Sequence, residues 1–413
     1  MNTLRGLLRR RFRSQSSAIY TVLLVVALLY PLLANFASGG QGSYWVGLVA
    51  DAGVWVLLAI GLNVVVGYAG LLDLGYAAFF AIGAYTAGMF ASGQLSASPL
   101  HHDIHIPFWL LLFLALFVAA CFGIILGAPT LRLRGDYLAI VTLGFGEIVP
   151  RIARNMGFGS PLGNWTGGVN GISALDQPML PVWITGPWTT PSQPIQLVTP
   201  FSFAFDNTAY YVLIVILVVA CVILVTNLYR SRLGRAWMAI REDEVAAAAM
   251  GVNTVATKLL AFAIGASFSG FAGAYYGIKL SLVSPEAFSF VVSVTVLMMV
   301  VVGGMGNLPG VIIGSLAVYF VNYYVLFAIP DWGVSLAKLV GADFLVQGNP
   351  ARNWPGLHDE LAMMQFLIFG IILVAMMLLR PQGLIPSRAR AQELTHGASE
   401  ETVFDARVEA KEA

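Results

Sequence analysis

Chemistry in a protein chain needs ionisable side chains, and here the candidates are few enough to weigh singly. Within or at the edges of apolar stretches stand Asp51, Asp73, Glu147, Lys258, Lys279 and Glu286. A charge in the hydrocarbon of a bilayer costs about 3 kcal/mol or more, so such residues are functional candidates by default. Glu147 is the foremost. It lies in Leu143-Gly144-Phe145-Gly146-Glu147, where two glycines let a substrate or another helix approach the backbone. The competing reading makes it a buried partner for Arg151, one helical turn on, and both readings stand at this stage. Lys258, Lys279 and Glu286 sit at the ends of apolar runs, where snorkelling is explanation enough.

Signatures of catalysis are missing. The sequence has no GxxxxGK[ST] and no Gly-Lys dipeptide at all, so no P-loop can cradle ATP, and neither HExxH nor G-x-S-x-G occurs. The run His101-His102-Asp103-Ile104-His105 has metal-binding residue types, but no distant ligands join it and it reads as a solvated turn. Cys121 and Cys221 both fall inside apolar runs and read as small core residues.

One polar segment stands out. Residues 231–244 read SRLGRAWMAIREDE and lead into Val245, four alanines, Met250, Gly251 and Asn253. Strong helix formers, a charged first half and a small-residue second half predict a short helix at the membrane face, turned back into the next span at Gly251. A rigid, protruding helix suits docking on a soluble partner. Anchorage to anionic headgroups is the plainer reading, and the three consecutive acids after Arg241 argue against it.

The elements that carry these residues are set by composition. Of 413 residues, 58% are hydrophobic and 10% charged, against roughly 25% charged in a soluble domain. Apolar runs without strand alternation exclude a barrel and predict an all-α polytopic bundle. Spans are expected near 18–36, 44–66, 73–91, 107–128, 137–153, 208–228, 255–279, 288–303, 309–328 and 362–379, about ten in all. The first is read as an uncleaved span rather than a secretory signal.

Short cytoplasmic loops collect Lys and Arg. Placing the basic arm 1–17 (Arg5, Arg9, Arg10, Arg11, Arg13) inside puts Arg132 and Arg134, then Arg230, Arg232, Arg235 and Arg241, then Arg380, Arg388 and Arg390 inside as well. Both termini are therefore expected in the cytoplasm. Residues 155–229 hold no Lys or Arg, which suits an outer loop; Arg151 and Arg154 just before them can cap a helix C-terminus. The expected plan is a transmembrane domain over 18–379, with outer loops at 155–207 and 330–361, a cytoplasmic segment at 230–253 and a polar tail at 380–413. Net charge is +1, with no large basic face for nucleic acid.

Glycine clusters twice, as Gly67-Tyr68-Ala69-Gly70-Leu71-Leu72-Asp73-Leu74-Gly75 and as Gly303-Gly304-Met305-Gly306-Asn307-Leu308-Pro309-Gly310. Paired glycine-interrupted segments are the trace of an internal repeat whose irregular backbone lines a pathway. Two tight turns with small-residue helix contacts would read the same.

At this point a family resemblance emerges. The segment SRLGRAWMAIREDEVAAAAMGVN resembles the cytoplasmic signature of branched-chain amino acid ABC permeases of the M type. So do YAGLLDLGYAAFFAIGAYTAG, LRLRGDYLAIVTLGFGEIVPRIARN, TGGVNGI, KLLAFAIGASFSGFAGAYYG and VVGGMGNLPGVIIGS, over about 44–379. The resemblance implies a helical permease paired with a second, related permease, two ATPase subunits that bind ATP and magnesium, and a periplasmic binding protein, all at a bacterial inner membrane. It makes the region of Arg235, Arg241, Glu242, Glu244, Ala246, Ala247 and Gly251 the coupling helix that enters an ATPase groove. Val245 interrupts the EAAxxxG pattern of ABC permeases there. Gly67, Gly70, Asp73, Gly75, Glu147, Gly303, Gly304, Gly306 and Asn307 are then expected along the translocation path or at helix interfaces. Urea, short amides or other amino acids are alternative substrates on the same scaffold, and an ion-coupled secondary transporter is the rival class. No cofactor is expected in this chain.

Overall fold

The computed structural model describes residues 2–37, 42–101, 104–130, 136–161, 163–178, 207–340, 346, 356–379 and 383–385. Side chains before Ile19, Arg132, Arg134, His102, Asp103, the stretch 179–206, most of 341–355 and nearly all of the tail lie outside that description, together with the expectations that fall on them.

The helices follow the apolar runs. They are α1 (Asn2–Ala37), α2 (Gly42–Leu62, continued by a π-helical turn Asn63–Tyr68), α3 (Tyr76–Phe90), the short α4 (Gln94–Ala97), α5 (Phe108–Thr130) and α6 (Asp136–Asn155). After them come α7 (Asn207–Arg230), α8 (Arg232–Glu242), α9 (Glu244–Ala249), α10 (Thr254–Leu280), α11 (Phe290–Gly303), α12 (Leu308–Phe320), α13 (Leu326–Leu339) and α14 (Leu357–Leu379). Each of the ten expected apolar segments is helical. Among the described residues, six stretches are long and apolar enough to cross a bilayer: Ile19–Phe36, Gly42–Tyr68, Phe108–Thr130, Asn207–Arg230, Thr254–Leu280 and Leu308–Leu339. Tyr76–Phe90 and Phe290–Gly303 are shorter apolar helices. The last long stretch runs ten residues into the expected second outer loop, because a π-helical turn, Val321–Val325, lets α12 continue into α13. The only sheet among the described residues is a two-residue antiparallel pair, Ile172–Ser173 (β1) with Leu282–Val283 (β2).

The chain divides into two units, 1–297 and 298–413. In the first, α10 is the central post, packed on α3, α5 and α2. Its glycines make this possible. A Cβ on Gly270 would lie 2.7 Å from the Ala115 carbonyl oxygen, and one on Gly273 would overlap the Phe80 carbonyl. Backbones touch where side chains would otherwise intervene, which is how helices associate in a solvent that supplies no hydrophobic drive. Tyr76 reaches across from α3 to donate to the Gly265 carbonyl at 3.1 Å.

In the second unit, the end of α11 and the start of α12 meet as closely. A Cβ on Gly303 would lie 2.6 Å from Val311 Cα, and Gly304 and Gly306 take φ of +106° and +81°. Asn307 Nδ2 donates to the Ile385 carbonyl at 2.8 Å, and Leu384 N–H to Val302 at 2.7 Å. Here the second glycine cluster is a tight turn with helix contacts.

Candidate coupling and pathway site

The segment expected as one short helix is two. Ser231 caps α8, its hydroxyl accepting from Gly234 N–H at 3.4 Å. Asp243 then leaves helical geometry (φ −154°, ψ 111°), and its Oδ1 accepts from Val245 and Ala246 N–H at 2.8 and 3.0 Å to start α9. The acid run therefore holds a helix cap in its middle. The helix α9 ends as expected: Gly251 takes φ +86°, Val252 N–H bonds to Ala247 O at 3.1 Å, and Gly251 N–H bonds to Ala248 O at 3.0 Å. That pattern satisfies carbonyls the helix end leaves open.

The pair is fastened to the bundle from below. Trp237 is fully buried, and its indole N–H donates to the Thr257 carbonyl at 2.7 Å. Glu244 and Lys258 form an ion pair of 2.6 Å with the lysine only 12% exposed. Snorkelling is thus not what Lys258 does. Arg235 turns back to donate to the Arg230 carbonyl at 3.0 Å. The exposed residues include Arg232, Arg235, Glu242, Asp243 and Ala246, with an apolar tip of Val245 at 72% and Met250 at 85%. Ala247 is buried beneath it.

Arg241 joins the two expected groups of site residues. Its Nη1 donates to the Gly67 carbonyl at 2.6 Å, in the π-helical end of α2. Gly70, at φ +69°, leaves room for it: a Cβ there would lie 2.9 Å from Arg241 Cγ. A guanidinium on carbonyls at a helix C-terminus is favoured by the exposed oxygens and by the helix dipole. Beyond Gly70 the chain passes buried Asp73, whose Oδ1 accepts from Gly75 N–H at 2.9 Å and whose Oδ2 has no partner among the described residues. Asp73 borders a small cavity shared with Thr130, Thr142 and Phe262. Gly75 presses on α6. A Cβ on it would overlap the Thr142 carbonyl, one on Gly146 would lie 3.1 Å from Gly75 Cα, and Leu74 N–H donates to Thr142 Oγ1 at 3.0 Å.

Glu147 follows Gly146 on α6. It pairs with Arg151 at 3.4 Å, and both side chains are exposed in this chain, at 43% and 74%. The Arg151 pair is present, but at a surface rather than buried as that reading expects. Lys279 and Glu286 were expected merely to snorkel. Instead Lys279, 7% exposed, donates to Asp51 Oδ1 at 2.5 Å and to the Gly47 carbonyl at 3.0 Å; Glu286 pairs with Arg154 at 2.6 Å but stays 65% exposed, as a snorkelling side chain does. Trp237 was missed altogether. Its place among charged residues of a polar helix is the one signal that marks it as an anchor.

The family model described as branched-chain amino acid transport system / permease component matches residues 44–377. The chain belongs to that permease family. Among its relatives, the high-affinity branched-chain amino acid transport system permease protein LivM of Salmonella typhimurium is 37% identical over 385 residues, covering 91% of this chain and 76% of the relative. LivM of Escherichia coli K12 is 36% identical over 387 residues, with the same coverage. The permease protein LivH of Salmonella typhimurium is 26% identical over 264 residues, covering 63% of this chain and 78% of the relative. No solved structure matches the chain. Both permease types of one named transport system are thus similar to it, the M type over more of its length.

Proposed function

We propose that the chain is the M-type permease subunit of a bacterial ABC importer for branched-chain amino acids. It crosses the inner membrane about ten times with both termini inside. A second, related permease completes the pathway, a periplasmic binding protein delivers leucine, isoleucine or valine, and two ATPase subunits bind ATP and magnesium. The segment 230–253 is the coupling segment. Gly67, Gly70, Asp73, Gly75 and Glu147, and separately Gly303, Gly304, Gly306 and Asn307, belong to the path or to the helix interfaces that shape it.

The family match over residues 44–377 carries this reading. The tip of α8 and α9 supports the docking role: it is polar, capped at both ends and pinned from below, and it presents apolar Val245 and Met250 within a charged rim. Apolar anchors ringed by charge are how interfaces bind. The test is co-purification and uptake in the complete transporter carrying Val245→Asp or Arg232→Glu. ATPase recovery should fall with Val245→Asp and uptake should fall with it, whereas a change at exposed His101 should leave both intact. Normal recovery and full uptake in both coupling variants would remove the docking assignment.

A further inference from the structure

The coupling segment has two possible routes for a push from below. One runs through the helices continuous with it, α7 and α10. The other leaves the chain's own path at Arg241 and enters the break between α2 and α3.

The second route is built from close contacts at every step. Arg241 holds the Gly67 carbonyl at 2.6 Å, and its side chain fills the space a Cβ on Gly70 would need. Tyr229, just before α8, lies against Tyr68 with ring centroids 4.9 Å apart, so the same end of α2 is gripped twice. That end is π-helical, with Ala69 N–H bonding to Val64 and Leu71 N–H to Val65. Such turns interrupt the regular ladder and mark places where helices yield. Past the break, Gly75 and Leu74 sit directly on α6 at Thr142 and Gly146, one residue before Glu147. Backbone against backbone leaves no side-chain rotamer to absorb a displacement.

We propose that Arg241 is a positioning residue of the transport cycle: its hold on Gly67 and Gly70 makes the α2–α3 break, and α6 behind it, receive the stroke delivered by the ATPase. Trp237 and the Glu244–Lys258 pair keep the segment docked on α10, and Arg241 passes its movement sideways. This rests on the reading of 230–253 as the coupling segment, and its failure is distinguishable. Loss of docking lowers ATPase recovery, whereas loss of transmission leaves recovery and hydrolysis in place and lowers transport alone.

The experiment uses the complete transporter in proteoliposomes with its binding protein and leucine, comparing Arg241→Gln and Arg241→Lys. A second readout is maleimide labelling at Glu147→Cys, with Cys121 and Cys221 replaced by alanine, in the nucleotide-free and vanadate-trapped states. Losing one charge-assisted hydrogen bond at the hinge should lower leucine uptake at least about tenfold in Arg241→Gln. Complex recovery and ATP hydrolysis should stay within about twofold of the unaltered transporter. Arg241→Lys, which keeps a cation in reach of the carbonyl, should recover part of the uptake. The difference in labelling between the two states should vanish in Arg241→Gln and return in Arg241→Lys. Unchanged uptake in Arg241→Gln would overturn the proposal. So would a state-dependent labelling difference that survives the substitution, or recovery and uptake falling in parallel with no rescue by lysine.

Discussion

Removing Asp51 should harm the protein more than removing Lys279, although the two make one ion pair. Lys279 is 7% exposed and Asp51 is 36% exposed, so deleting the acid strands an enclosed ammonium, whereas deleting the lysine leaves a less enclosed carboxylate. Breaking a buried pair by removing one partner costs roughly 3–5 kcal/mol. Lys279 keeps the Gly47 carbonyl at 3.0 Å, which lowers the expected loss for Asp51→Ala to about 2–3 kcal/mol. For Lys279→Met the acid left behind is less enclosed than the lysine, and a smaller loss is expected. The double variant should be close to Lys279→Met alone, because no stranded charge remains. The assay is a heating series on the detergent-purified complex, followed by size-exclusion monodispersity, for both single variants and the pair. A larger loss for Lys279→Met, or a double variant as damaged as the sum of the singles, would refute the reasoning.

Two further outcomes follow from the packing. Gly273→Ala places a methyl on the Phe80 carbonyl and should cost about 1–3 kcal/mol, while Gly144→Ala meets nothing within 4 Å and should be neutral or stabilise α6 by up to about 1 kcal/mol; yields and melting of the purified complex separate them. Asp243→Ala removes the cap of α9, worth about 1 kcal/mol, and should loosen the tip, read as faster amide exchange at residues 244–249 with the bundle unchanged.

The helices were legible because a chain of 58% apolar residues has few other ways to satisfy its backbone in lipid. The docking segment was legible from its charge, its alanines and Gly251. Its division at Asp243 was less so, because an acid among acids looks like surface rather than a cap. The local pair Glu147–Arg151 was legible from its spacing, but the long-range ion pairs were not. Lys279 and Asp51 are 228 positions apart, and only the packing of α2 on α10 brings them together. The same holds for Arg241 and Gly67, 174 positions apart, which sequence reasoning assigned to separate roles. Periodicity reports which face of a helix is apolar, but not which other helix that face will meet.

The shortness of α3 has a consequence for how the protein is made. At 15 residues it is about 22 Å long, short of the roughly 30 Å hydrocarbon layer. Most of its residues are buried against neighbours rather than turned to lipid. Its chief neighbour, α10, ends at Leu280, about 190 residues after Phe90, which at ribosomal speed is a wait of roughly 10 to 40 s. During that interval the newly inserted segment lacks the surface it is shaped to fit. The final seating of α3 is therefore an assembly event completed late in synthesis, and the glycines of α10 are what it waits for.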